Sequence, residues 1–138
     1  MLFRSASVIL ERIHTNVCGP FSVASIKKHR YYVIFFDDFS RRCWIFFIQK
    51  KSETFSKFCE FKALVEKELG KKVKALQSDN GGQYISREFK ELCIKEGIRR
   101  ELIVPHNPQY NGVAERKNIM IVGVARAMLH DQGLLMHL

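Results

Sequence analysis

Two acidic side chains carry the chemistry open to this sequence. Asp79 stands in ALQSDNGGQY (residues 75–84), where an apolar run ends at Ser78 and two glycines follow Asn80. An acid at the C-terminal edge of a buried strand, beside residues that let the chain turn sharply and a ligand come close, is placed to touch that ligand. An Asp at such a position is also an ordinary turn former. Glu115 stands in PHNPQYNGVAERKN (residues 105–118), in the first turn of a helix that starts at an Asn-Gly turn. A carboxylate there gains about 0.3–1 kcal/mol from the helix dipole whatever else it does. The 35 residues between the two acids, together with their flanks, make the pattern specific.

The elements that must position these acids follow from periodicity. Residues 8–17, 31–37 and 43–49 have strand composition, the last two rich in aromatic and β-branched residues and joined by a tight hairpin at 38–42. A helix is predicted from Ser52, its N-cap, to Leu69, with Gly70 as its stop. Its apolar face is Phe55, Phe58, Cys59, Phe61, Leu64, Val65 and Leu69. A strand at 73–78 leads to Asp79. A short helix over 86–96 buries Phe89, Leu92 and Cys93 between a Ser86 cap and a Gly97 stop. A strand at 100–104, a loop at 105–111 and a last helix at 112–130 complete the order. Three strands followed by helix–strand–helix–strand–helix predict an α/β fold of ribonuclease-H-like type, a five-stranded mixed sheet flanked by helices.

Composition narrows the classes. The 138 residues suit one domain, and 46% hydrophobic with 27% charged residues argues against disorder. No apolar stretch approaches the roughly 20 residues a membrane span needs, and Glu11 and Arg12 interrupt the only candidate leader. A net charge of +9 suits a polyanionic partner, nucleic acid first, although a merely basic soluble protein is an equal reading of charge alone. Cys18, Cys43, Cys59 and Cys93 are scattered without a C-x-x-C pair, and the His residues have no metal-ligand spacing with them. Reduced, half-buried thiols in an intracellular protein are therefore expected. No targeting signal separates nucleus from cytoplasm.

Four segments in uninterrupted order, HTNVCGP (14–20), RYYVIFFDDFSRRCWIFF (30–47), KALQSDNGGQY (74–84) and GIRRELIVPHNPQYNGVAERKN (97–118), resemble the integrase catalytic core of copia-type long-terminal-repeat retrotransposons. The similarity covers residues 9–134. It implies a polynucleotidyl transferase that trims element DNA ends and joins them to target DNA, using two Mg²⁺ or Mn²⁺ ions held by carboxylates. Hard cations take oxygen ligands, and two of them about 3.5–4 Å apart serve both the attacking and leaving oxygens. By this resemblance Asp79 and Glu115 are catalytic metal ligands. Lys117, Arg116, Tyr110 and Asn111 are candidate DNA contacts, and a homodimer or higher oligomer is expected, with Phe35, Trp44 and Phe46 as an exposed apolar face.

This chain departs from the family pattern at the first strand. The family has Asp two residues after the His, whereas His14 is followed by Thr15 and Asn16. An amide offers one neutral carbonyl oxygen and no charge. The expected cost is about three decades of rate or more. Asp37 and Asp38 match the family's own pair at the hairpin and are not expected to substitute. Ile119 lies one helical turn beyond Glu115, where the family has a basic residue, and Tyr110 stands where it usually has Gln. No His/Cys zinc module precedes the core, and the end at Leu138 falls within a segment that normally continues, so the chain resembles a fragment of a decayed copy. The alternative is a catalytically inactive nucleic-acid-binding or oligomerisation domain. A relic without a role and an RNA-cleaving ribonuclease H are weaker readings. The basic runs at Lys27–Lys28–His29–Arg30, Arg41–Arg42 and Lys71–Lys72–Lys74 are read mainly as solvated loop charges.

Overall fold

The computed structural model describes residues 5–20, 31–79 and 81–103. The aromatic and β-branched runs form strands β1 (Ile13–Cys18), β2 (Tyr31–Asp37) and β3 (Cys43–Ile48). Helix α1 (Thr54–Leu69), strand β4 (Ala75–Ser78), helix α2 (Arg87–Glu96) and strand β5 (Arg99–Leu102) follow. The sheet order is β3-β2-β1-β4-β5. The first three strands are antiparallel neighbours, while β1–β4 and β4–β5 run parallel. Parallel pairing requires crossovers, and α1 and α2 supply the helices that lead into β4 and β5. The five-stranded mixed sheet predicted from the sequence is the one observed. The predicted helix over 112–130 and the loop before it lie outside the described residues.

Strand alternation divides the core in two. On one face Ile13, Val33, Phe35, Trp44, Phe46 and Leu76 cluster with Phe58, Phe61 and Val65 of α1 and with Phe89 and Cys93 of α2. Phe61 stacks on Phe35 at 4.5 Å and meets Trp44 edge-on at 5.1 Å. Each fully buried Phe is worth about 1.5–3 kcal/mol of transfer free energy, so this aromatic layer is the main weld between helix and sheet. The opposite face carries Tyr32, Ile34, Phe36, Ile45 and Phe47. The expectation of an exposed apolar face at Phe35, Trp44 and Phe46 is thereby corrected: all three are buried, because α1 lies over them.

Element ends differ where tertiary contacts override local pattern. Residues 8–12 do not extend β1. Glu11 N donates to Val8 O in a turn, and Leu10 adopts φ 66° with its amide donating to Asp37 Oδ1 at 2.8 Å. Ser52 is not the N-cap of α1. Residues Lys51–Glu53 form a 3₁₀ turn, and the Glu53 carboxylate accepts from the amides of Gln49 and Lys50. Leu64, placed on the buried face by spacing, is 46% exposed, whereas Lys62 is buried and donates to Glu66 and Glu96 at 2.9 and 2.7 Å. β4 is shorter than predicted, and β5 begins one residue earlier and ends two residues sooner. α2 matches its signals: Ser86 Oγ accepts from Phe89 N, and Gly97 closes the helix at φ 69°. Among the described residues no helix is long and apolar enough to cross a membrane.

Candidate active site

β1 carries Asn16 and β4 leads to Asp79, the two candidate positions among the described residues. Their parallel register pairs Ile13 with Leu76 and His14 with Gln77. Continued by two residues, it sets Asn16 level with Asp79, just past the end of β4. Ile13 and Leu76 belong to the helix-covered cluster. Strand alternation therefore puts His14, Asn16 and Cys18 on the other face of β1, and Cys18 packs against the second cluster. Asn16 is half-buried and Asp79 is exposed. Burial raises the pKa of the Cys18 thiol; a hydrogen bond with Tyr32 opposes this, and the negative charge of Asp79 adds to it. The Tyr84 phenol is raised by burial and again by Asp79.

The turn that carries Asp79 is closed by its own hydrogen bonds. Asp79 Oδ1 accepts from Gly81 N at 2.8 Å, Ser78 Oγ donates to Asp79 O at 2.9 Å, and Tyr84 N donates to Gly81 O at 2.9 Å. Gly81 lies in close approach to two side-chain ends. A Cβ there would stand 2.9 Å from Asp79 Oδ1 and 2.8 Å from Gln83 Nε2. Upstream, Ile103 N donates to Ser78 O at 2.8 Å, anchoring the end of β4 to the chain beyond β5.

Asp37 and Asp38 are engaged elsewhere. Asp37 pairs with Ile13, three residues back along β1 from Asn16, or about 10 Å at strand rise. Its oxygens accept from the amides of Leu10 and Ser40 at 2.8 and 2.7 Å. Asp38 Oδ2 accepts from Ala6 N at 2.8 Å, and Oδ1 lies 2.6 Å from His14 Nε2. Arg12 reaches Asp38 at 3.6 Å and Glu101 at 2.6 Å. Burial works against ionised Glu101, but hydrogen bonds from Arg12 and Arg99 overcome it and hold its carboxyl below the usual range. These groups make a buried polar seam at the far end of β1, a second polar cluster that sequence reading missed because its members lie up to 89 residues apart.

Among the described residues, no three of His, Cys, Asp and Glu converge as a metal site. The donor set at the β1–β4 edge is one carboxylate, Asp79, with an amide, Asn16, level with it. That chemistry fits a hard cation only in part, since a single charged oxygen donor stands there among the described residues. Glu115, Arg116, Lys117, Tyr110, Asn111 and Ile119 lie outside the described residues, as do Lys27, Lys28, His29 and Arg30. Of the remaining basic runs, Arg42 stacks its guanidinium over Trp44 at 4.9 Å, and Lys72 lies 3.6 Å from Glu66. None of the four cysteines forms a disulfide; burial raises all their thiol pKa values, that of Cys43 to about 11. Tyr84 and Thr15, whose hydroxyls lie 2.9 Å apart, were not singled out from sequence. Their only signal was an aromatic residue five positions after Asp79.

Comparison with known proteins gives the family. The family model described as integrase core domain matches residues 10–108. The chain is 50% identical over 121 residues to the Retrovirus-related Pol polyprotein from transposon TNT 1-94 of Nicotiana tabacum, covering 88% of this chain and 9% of that protein. It is 35% identical over 125 residues to the Pol polyprotein from transposon RE2 of Arabidopsis thaliana, covering 91% and 8%. The chain therefore spans less than a tenth of the length of these relatives. Among solved structures, an intasome of simian T-cell lymphotropic virus in complex with PP2A regulatory subunit B56 gamma aligns over 98% of this chain and 46% of that one. Its TM-score is 0.71 at 22% identity. The HTLV-2 integrase catalytic core domain in complex with magnesium, in a dimeric form, aligns over 94% and 78% with a TM-score of 0.66 at 23% identity. At those identities the likeness carries the fold, which is ribonuclease-H-like. The chain belongs to the integrase core domain family, in the line of copia-type retrotransposon Pol polyproteins.

Proposed function

We propose that residues 9–134 form the catalytic core of a DNA strand transferase in which Asp79 and Glu115 are the surviving acidic residues and Asn16 a degraded third. The observation that carries this reading is the parallel pairing of Ile13 with Leu76 and His14 with Gln77, which, extended by two residues, sets Asn16 opposite Asp79 at the step where the resemblance calls for an Asp. Asp79, Glu115 and the Asn16 carbonyl would hold Mg²⁺ or Mn²⁺. When bound, such ions activate the attacking oxygen and stabilise the leaving one. Asp79 contributes an exposed carboxylate whose orientation the Gly81 amide fixes. Lys117 and Arg116 would grip DNA phosphates, and Tyr110 and Asn111 would line the strand. Contacts of this kind are weakly sequence-specific and strongly salt-dependent.

Replacing the first Asp by Asn removes one full charge from the metal-binding set, so this copy is read as inactive or strongly impaired. The test of the site assignment is a disintegration assay with Mn²⁺ in the Asn16→Asp chain, repeated with Asp79→Asn and with Glu115→Gln. Loss of product in both variants supports the assignment; persistence in either removes that residue from the site.

A second reading, a catalytically inactive domain that still binds DNA or its own copies, is favoured by the same Asn16 together with the +9 charge. The HTLV-2 core is known in dimeric and trimeric forms, which supports proposing self-association here. Sedimentation at rising concentration checks it, and a monomer throughout contradicts it.

A further inference from the structure

We propose that Tyr84 is a positioning residue for Asp79, holding the turn that carries the carboxylate against the strand that carries Asn16. This inference rests on the reading of Asp79 as a metal ligand given above. Tyr84 is fully buried, and its hydroxyl lies 2.9 Å from Thr15 Oγ1, one residue before Asn16 on β1. Its carbonyl accepts from Arg100 of β5, and its amide donates to Gly81 O. Its ring packs on Phe89 in the first turn of α2, at 5.7 Å between centroids. One residue therefore ties the turn to β1, to β5 and to α2.

The geometry of the turn makes this tie matter. On its upstream side Asp79 is held by the pairing of β4 with β5, where Ser78 faces Leu102. On its downstream side, among the described residues, the hydrogen bonds of Asp79 and Gly81 stay within the turn, from Gly81 N to Asp79 Oδ1 and from Tyr84 N to Gly81 O. Tyr84 is where the turn rejoins the core. The Thr15–Tyr84 bond sets the separation between that anchor and β1, and so between Asp79 and position 16. Burial raises the phenol's pKa, which favours the neutral hydroxyl in this hydrogen bond.

The test compares Tyr84→Phe and Thr15→Val, both in the Asn16→Asp chain, by counting free Mn²⁺ by electron paramagnetic resonance during titration and by recording the melting temperature of the metal-free protein. Both variants remove the same bond from opposite ends, so either suffices if the other fails to fold. Val65→Ala, a cavity in the α1 core, supplies a loss of stability remote from the turn. The expected result is Mn²⁺ affinity about five- to ten-fold weaker in Tyr84→Phe and Thr15→Val, no weaker still in the double variant, and unchanged in Val65→Ala despite its lower melting temperature. Affinity unchanged in the hydroxyl variants, or reduced equally in Val65→Ala, overturns the positioning role and leaves Asp79 as a ligand. Absence of Mn²⁺ binding in the Asn16→Asp parent itself overturns the metal-site reading, and the positioning role with it.

Discussion

His14 pairs with Gln77 in the parallel register of β1 and β4, and two residues further along the two chain segments come Asn16 and Asp79. Position 16 is half-buried and on the sheet face opposite α1, while Asp79 emerges exposed where β4 ends. A carboxylate at position 16 would add a charged oxygen donor on the strand beside the one that leads to Asp79. An amide there keeps the shape and removes the charge.

Gly81→Ala is expected to separate stability from site geometry. The added Cβ would press on Asp79 Oδ1 and Gln83 Nε2, both ends of side chains that can rotate away. The melting temperature should change little, corresponding to less than about 1 kcal/mol. In the Asn16→Asp chain, Mn²⁺ affinity should fall, because the carboxylate is the group displaced. A crystal structure of the variant with Asp79 unmoved would contradict the argument.

The polar seam at the other end of β1 is predicted to be structural. Glu101 and Arg12 are both buried, with side chains 3% and 8% exposed, and the pair is 2.6 Å apart. Glu101→Ala leaves Arg12 without that partner in a low-dielectric setting, and stability should drop by about 3 kcal/mol. Urea unfolding with an unchanged slope would report it as a lower midpoint.

The same carboxylate sets an acid limit. Glu101 has a folded-state pKa below its ordinary value of 4.5, through Arg12 and Arg99 acting against burial. A depressed carboxyl contributes stability that is complete above its unfolded pKa and is lost as pH falls through the folded one. Stability should therefore hold near neutrality, decline below about pH 4.5, and decline less steeply in Glu101→Gln. Urea midpoints between pH 3 and 7 check this, and an identical acid limb in the variant would assign the loss to other groups.

The fold was largely legible where local chemistry agreed with the tertiary answer. β2 and β3 follow from their aromatic and β-branched runs, and α2 follows from Ser86 and Gly97. Legibility failed where distant partners decide. Lys62 points inward because Glu96, 34 residues away, meets it, and no helical periodicity reports such a partner. β1 starts at Ile13 because Asp37 captures the Leu10 amide. The face bearing Phe35, Trp44 and Phe46 read as open because alternation shows that a strand has two faces without showing which one a helix covers. Within the candidate site, Asp79 is proposed from its type and flanks and Asn16 from the resemblance alone. Their shared level needed the strand register, and the Tyr84–Thr15 tie needed the fold itself.

The most direct measurement is strand transfer by this chain and by its Asn16→Asp variant, assayed side by side with Mn²⁺ on the same DNA ends. The account predicts no detectable product from the chain as it stands and a gain of about three decades or more on restoring the carboxylate. Equal, robust activity in both would contradict it.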